Sequence, residues 1–486
     1  MSIEEQTAET EDIVLETLPT QVVIEPEPLA PIKAKPVEEL ERVASVDVIR
    51  GVALLGILAM NIVGFGWPES VYNTPTRDPD AGTIDIALWA FNHLVFDTKM
   101  ITLFSMLFGA GLVLMSDRAE TRGAKVRGIF YRRITWLLVI GCIHAYLIWD
   151  GDVLVWYALC GFLLYPFRKL RPRTLIITGV CCNLLMVPLL LSFKYGGMPY
   201  MKATAERFNA KEDAWKAAMK DHPDDKNIGM LKPGGWDEGV RDAWKEMKDE
   251  PPKREDFLKQ IATHRSGYFK IVKERAKQLI WGQTMGFVVG IWWLVGGRML
   301  IGMGLMKLGV FSSQLSHRTY VMMMVWGYGI GMPLLIFDTY HQITNDFFVG
   351  HNLSYMLAGW EFLLLYGSLP VVIGHIGLVM LICQTGAIPW LTRRLAAVGR
   401  MALSNYLFDS IVFTTIFYGY GFDLFATIHR PMLYLMVLMV WTFQLVISPI
   451  WLEHFRFGPA EWLWRSLTYW RFQSMRPKHK AEPLPA

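Results

Sequence analysis

About ten apolar runs, most of them near the ~20 residues that a helix needs to cross hydrocarbon, divide this 486-residue chain. Inside a bilayer a chain must satisfy its own backbone hydrogen bonds. For runs of this length that leaves the α-helix. The expected fold class is therefore all-α: a polytopic membrane protein of about ten transmembrane helices with a small helical extracytoplasmic insertion. Composition agrees, because 52% hydrophobic against 19% charged residues is too apolar for an ordinary soluble domain. The spans are expected at about 46–67, 84–116, 134–149, 153–167, 174–193, 283–311, 319–337, 354–383, 396–418 and 431–452.

The loops set the expected topology. Basic residues collect before span one and after spans two, four, six, eight and ten, and the intervening short loops are poor in Lys and Arg. By the positive-inside bias, both termini are expected to face the cytoplasm. Residues 1–41 are rich in Glu, Pro, Thr and Ala and lack a signal-peptide pattern, so they read as a disordered cytoplasmic tail. Residues 42–193 form a first membrane domain of five spans. Residues 194–280 mix both charge signs with Trp215, Trp236 and Trp244 and read as the extracytoplasmic insertion. Residues 281–471 form a second five-span domain, and 472–486 a basic cytoplasmic tail. All five cysteines fall inside apolar runs without metal or redox spacing, so they read as packing residues.

The first span carries the most informative polar pattern. Asp47, Arg50 and Asn61 are 3 and 11 residues apart, close to whole helical turns, so they share one face. An amide facing lipid costs several kcal/mol, so this face looks into protein. It either anchors and glues the helix to a neighbour or lines a site. Toward the outer side, His144 precedes a tight turn bearing Asp150 and Asp152. A carboxylate beside an imidazole fixes its tautomer and stabilises its cation. The other reading is that His144 bonds to a neighbouring helix while the aspartates cap the turn. Further polar groups lie on the same side: Asn92, His93, Asp97, Asp338, His341, His351, His429 and Arg430, with Arg298 and His375 nearer mid-membrane. On the cytoplasmic side Arg42, Arg50, Arg132, Arg133, Arg393, Arg394 and Arg400 form a basic rim. Such a rim suits donor phosphates and equally anionic headgroups. No P-loop, GxGxxG after a strand, HExxH or GxSxG is present.

Two blocks of sequence resemble a known family. The first runs from Arg42-x-x-Ser45-x-Asp47-x-x-Arg50-Gly51 to Asn61, then Leu103 to Gly109, His144, and Gly151-Asp152-Val153-Leu154 with Tyr157-Ala158. The second holds Gly399-Arg400-Met401-Ala402-Leu403-Ser404-Asn405-Tyr406, Gln444, Ser448, Trp451 and Phe455 to Arg465. Together they resemble the YeiB family of bacterial inner-membrane proteins, also called domain of unknown function 418, over most of residues 42–471. The first helix is also similar to that of a wider transmembrane acyltransferase superfamily. That superfamily includes acyltransferase family three and the lysosomal heparan glucosaminide acetyltransferase, which move an acyl group from a cytoplasmic thioester to an acceptor on the far side. The resemblance implies a catalytic histidine eleven residues after the Arg of Arg-Gly. Here that place is Asn61, as it is an asparagine in the glucosaminide acetyltransferase. Residues 62–83 contain no histidine, so the base role falls to His144 or His93. Asp409 stands where the YeiB pattern usually has glutamine.

The leading expectation is thus a membrane acyltransferase. Arg50, Arg132, Arg133 and Arg400 would bind the donor phosphates, and His144, oriented by Asp150 or Asp152, would deprotonate the acceptor. Asn61 would bond to the oxyanion. No cofactor or metal is expected to be resident, and acyl-coenzyme A enters as co-substrate. The expected partners are the lipid bilayer and an envelope glycan or small-molecule acceptor, and not nucleic acid. Two rivals use the same polar groups: a transporter or exporter of a small solute, and a non-catalytic membrane partner whose polar residues pair among themselves. A tunnel from the basic rim to Asn61 and His144 is what separates the enzyme from the rest.

Overall fold

The structure is a computed structural model that describes residues 43–121, 126–222, 232–247, 254–348 and 361–476. Arg42, His351, the expected N-terminal tail and the start of the span expected at 354–383 lie outside these residues. Among the described residues every regular element is a helix and there is no strand. Six helical segments are long and apolar enough to cross a membrane: Ala44–Gly66, Thr83–Thr121, Tyr268–Lys307, His317–Thr344, Gly367–Thr385 and Arg430–His454. Pro172–Leu185 and Ala402–Phe417 are shorter apolar helices.

Helix α1 (Ala44–Gly66) is the axis of the bundle, with most of its side chains buried. The chain ahead turns through a break between α2 (Thr83–Val95) and α3 (Lys99–Thr121). There Thr98 takes a positive φ of 61° and its hydroxyl pairs with Ser368 at 2.5 Å. The second span, expected as one region, is therefore two helices. Helix α4 (Arg127–Ile143) ends in a π turn, His144–Ile148, before α5 (Leu154–Leu164) returns. Such wide turns recur at functional sites.

The expected domain boundaries at 193/194 and 280/281 fall inside unbroken helix. Helix α6 (Pro172–Ser192) passes through the turn Phe193–Gly197 into α7 (Met198–Asp221). Helix α8 (Trp236–Met247) packs back on α7, where Arg241 bonds to Glu212 at 2.7 Å and covers the Phe208 ring at 4.4 Å. Helix α9 (Arg254–His264) docks on the turn after residue 417: His264 stacks on Phe425 at 4.4 Å and its carbonyl accepts from the Gly419 amide. Helix α10 (Tyr268–Trp281) then runs through Gly282–Gly296 into α11 (Gly297–Lys307).

Helices α12 (His317–Thr344) and α13 (Glu361–Thr385) form a close pair. Next come α14 (Pro389–Arg400), α15 (Ala402–Phe417), α16 (Arg430–His454) and α17 (Pro459–Tyr469). The span expected at 396–418 breaks at Met401, and the new helix start is capped from a distance. Glu461 accepts from the Leu403 and Ser404 amides at 2.6 and 3.1 Å, while the Ser404 hydroxyl accepts from the Ala460 amide at 3.0 Å. Two helix N-termini thus satisfy each other's free donors.

Small residues let the backbones touch. Any Cβ at Gly399 would overlap the carbonyl oxygen of Asp47, and one at Gly51 that of Leu395, which locks α1 to α14. Gly109 on α3 and Gly302 on α11 meet the same way, against the carbonyls of Met299 and Met106.

Outside the spans, His429 shares a hydrogen bond of 3.0 Å with Asp78, and that bond raises the imidazole pKa. A raised pKa stabilises the fold at low pH and loses its effect as pH rises through the folded value. Thermal unfolding in nanodiscs is thus expected to show a wild-type advantage over His429→Gln near pH 5.5 that vanishes by about pH 8. His429 is half-exposed although Asp78 is buried, so solvent screening keeps the advantage below about 1 kcal/mol.

Candidate active site

A cavity of about 310 Å³ opens at the arginine-rich end of the bundle. Arg50 and Asp47 from α1, Arg118 from α3, Arg133 from α4, Arg400 from α14 and Arg465 from α17 line it together with Glu461. Deeper in, the walls become apolar and aromatic: Leu54, Ile57, Phe104, Phe108, Leu137, Val153, Leu154, Tyr157 and Tyr406. A polar mouth over an apolar shaft is the usual make-up of a ligand pocket, and the volume lies at the small end of their range. Arg50 is held by Asp47 at 2.7 Å, and Arg133 lies flat on Trp464 at 4.1 Å, so both guanidinium groups are pre-placed. Arg132 was expected beside them, but it does not line the cavity; Arg118 and Arg465 do.

Behind Tyr406 lies a buried hydrogen-bonded line. His144 Nδ1 is 2.8 Å from Asp152 Oδ1, and His144 Nε2 is 2.9 Å from Ser410 Oγ. The other Asp152 oxygen accepts from the Val155 amide at 2.7 Å, at the first turn of α5. All three side chains are almost wholly buried. A carboxylate accepts only, so Nδ1 carries the proton and Nε2 accepts from the serine. His144 therefore bonds across to another helix while Asp152 caps a turn. The same contacts give the carboxylate–imidazole–hydroxyl order of a nucleophile and its base. Asp150, the other aspartate expected to orient His144, faces Arg275 at 3.8 Å instead.

The cavity and this line meet at one ring. Tyr406 lines the cavity, its ring centre is 5.0 Å from that of His144, and its hydroxyl reaches the Gly151 carbonyl at a long 3.4 Å. Asn61 is half-buried. It sits one turn beyond Ile57 on the α1 stripe, with Leu54 and Ile57 below it on the cavity wall. Phe65, one turn further, stacks on Trp149 at 3.9 Å, and Trp149 lies edge-on to His144. Asn61 makes no hydrogen bond to His144, Asp152 or Ser410. Neither Asn61 nor His144 lines the cavity itself, so the expected tunnel stops at Tyr406.

Comparison with known proteins adds the family. The protein YxaH of Bacillus subtilis is 30% identical over 449 residues, covering 90% of this chain and 97% of its own. YeiB of Escherichia coli is 30% identical over 441 residues, covering 88% and 97%. This chain belongs to the YeiB family. The family model described as a protein of unknown function, DUF418, matches residues 305–471. No solved structure matches the chain. Arg400, Tyr406 and Ser410 of this YeiB-family chain lie inside the matched segment, whereas His144 and Asp152 come from the other half.

The remaining polar groups of this YeiB-family protein are paired elsewhere, several of them in a second cluster around His93. His93 bonds to Asp338 at 3.0 Å and lies 3.6 Å from Asp97. Tyr72 donates to Asp97 at 2.8 Å, Gln342 to Asp338 at 2.9 Å, and buried Lys99 donates to the His93 carbonyl. His375 is held between Tyr328 and the Val95 carbonyl. His341 bonds to Asn345 within its own turn. Arg430 donates to the Val71 carbonyl at 2.9 Å. Asp409 accepts from Gln444 at 2.6 Å. No group of three or more His, Cys, Asp or Glu among the described residues has the arrangement to hold a metal. Sequence reasoning gave no site role to Ser410, Tyr406, Tyr157, Arg118 or Arg465, although Tyr157, Tyr406 and Arg465 stand within the family-like blocks. The only sequence signal for Ser410 is its place one turn after Tyr406, and that names no partner.

Proposed function

We propose that this protein is a membrane acyltransferase that takes an acyl group from a cytoplasmic coenzyme A thioester and delivers it to an acceptor beyond the inner membrane. The observation that carries this reading is the cavity, which joins a five-arginine mouth to an aromatic floor one ring away from His144. The mouth suits the phosphates of coenzyme A, and the shaft suits the pantetheine arm and a short acyl chain. His144, held in one tautomer by Asp152, acts as the base, and Asn61 donates to the developing oxyanion, a role worth about 3 kcal/mol in comparable sites. The acceptor is a hydroxyl or amine on a small molecule or envelope glycan. It approaches from the side covered by α9 and α10.

The test is thiol release from acetyl- and longer acyl-coenzyme A by the purified protein in nanodiscs. Arg133→Gln and Arg400→Gln are each expected to raise the KM for acetyl-coenzyme A about tenfold, the low end for losing one charge-assisted bond. Their kinetics with acetyl-pantetheine, which lacks the nucleotide phosphates, should not change. An equal loss with both donors contradicts a phosphate-binding mouth.

A transport reading has one observation behind it. Asp338, His93 and Lys99 are buried together away from the cavity, with Asp97 half-buried beside them, and charged groups at membrane depth often mark ion paths. Proton-coupled uptake into liposomes, abolished by Asp338→Asn with thiol release absent, favours that reading.

A further inference from the structure

We infer that Ser410 is the nucleophile of a two-step transfer, carrying the acyl group as an ester between donor and acceptor. This rests on the acyltransferase reading above. The geometry behind it is the placement of Ser410. Its oxygen occupies the hydrogen-bonding position on His144 Nε2, at 2.9 Å, where an acceptor hydroxyl would have to sit for direct base catalysis. The serine proton has two acceptors within reach, His144 Nε2 at 2.9 Å and the Tyr406 carbonyl at 3.2 Å. The shorter bond goes to the base. Asp152, bonded to Nδ1 at 2.8 Å, stabilises the imidazolium that forms. The arrangement thus holds a hydroxyl, its base and the group that orients the base, all shielded from water.

Both steps balance. In the first, Ser410 Oγ attacks the thioester carbonyl and its proton passes to His144 Nε2. The carbon–sulfur bond breaks, and the leaving thiolate takes that proton and departs as coenzyme A. In the second, the acceptor hydroxyl or amine gives its proton to His144 and attacks the ester carbonyl. The bond to Ser410 Oγ then breaks and the serine takes the proton back. No oxidant, metal or further reactant is needed. Burial protects the ester from hydrolysis between steps. Access from the cavity requires one side chain to move. Tyr406 separates the two spaces, and its ring must swing aside, giving up the long 3.4 Å contact of its hydroxyl to the Gly151 carbonyl and a hydrogen bond to the Val153 backbone.

The experiment uses the full chain in nanodiscs with acetyl-coenzyme A and no acceptor. Rapid acid quench is followed by peptide mass spectrometry and thiol counting. Expected are a burst of one thiol per protein and one acetyl group on the peptide holding Ser410. Ser410→Ala should lose the burst by about a thousand-fold or more. Ser410→Cys guards against loss of fold. It should still take up acetyl, now as a thioester that neutral hydroxylamine removes, whereas the wild-type oxygen ester survives that treatment. A folded Ser410→Ala that keeps thiol release within about tenfold of wild type overturns the inference and leaves direct transfer standing. So does wild-type turnover with no acetyl on Ser410. Wild-type protein that releases no thiol from any acyl-coenzyme A overturns the inference together with the reading it rests on.

Discussion

Replacing Asp152 with Asn is expected to leave a folded protein whose thioester-dependent thiol release has fallen about 10⁴-fold. Asp152 has two tasks, one per oxygen. Oδ2 caps the first turn of α5 through the Val155 amide, and Oδ1 takes the proton side of His144. Asparagine keeps an oxygen for the cap, so the turn survives. It then offers an NH₂ to His144 Nδ1, which turns the imidazole into the tautomer that can no longer accept a proton at Nε2. The same change in a Ser–His–Asp protease costs about that factor. His144→Gln should fall about 10²–10⁴-fold, the usual share of a general base. His144→Ala is a poorer probe, because it leaves a buried carboxylate without its partner, a loss of about 3–5 kcal/mol. The check is thiol release beside thermal unfolding for each variant. Asp152→Asn with near-normal turnover rules out His144 as the base.

Gly399→Ala should be among the most destabilising single methyl additions in the chain. The added Cβ would meet the Asp47 carbonyl oxygen and the Gly51 amide nitrogen, which are backbone atoms that cannot rotate away. Helices α1 and α14 must separate to admit it, and overpacking of this kind costs about 1–3 kcal/mol. Asp47 also holds Arg50 at the cavity mouth, so the same change should weaken coenzyme A binding. Gly128→Ala on α4 is the control. Nothing lies within 4 Å of its added Cβ, so it should be neutral or slightly stabilising. Melting temperatures of the two variants in one nanodisc preparation decide the matter. Equal melting temperatures mean that α1 and α14 are not locked at this crossing.

Much of the architecture was legible because long apolar runs in lipid have one solution. Helix α1 falls within two residues of its expected bounds, and the π turn at His144 starts within the span expected at 134–149. The breaks were not legible, and each has a tertiary cause. The chain parts at Met401 because Glu461, almost sixty residues on, caps the new helix. It parts at Thr98 where a hydroxyl on α13 receives it. The insertion looked like a domain because its charges begin at residue 194, yet a helix crosses from lipid-suited to water-suited residues without a gap in its hydrogen bonds. In the candidate site, His144 and Asp152 were visible as a local pair eight residues apart. Arg50, Arg133 and Arg400 were visible as a rim. Ser410 was not, since a hydroxyl in an apolar helix usually bonds to its own backbone and only the fold brings it to an imidazole from the other half of the chain.

That last pairing also says something about how the protein is made. His144 and Ser410 are 266 positions apart, so at roughly 5–20 residues per second a ribosome needs on the order of 10–50 s to travel from one to the other. Through that interval the histidine has already entered the bilayer with its aspartate, a partner synthesised almost at once. The ionisable pair therefore never has to wait in lipid for help from a helix not yet born. The hydroxyl arrives only with α15, so the nascent chain holds no assembled site until that helix has been made.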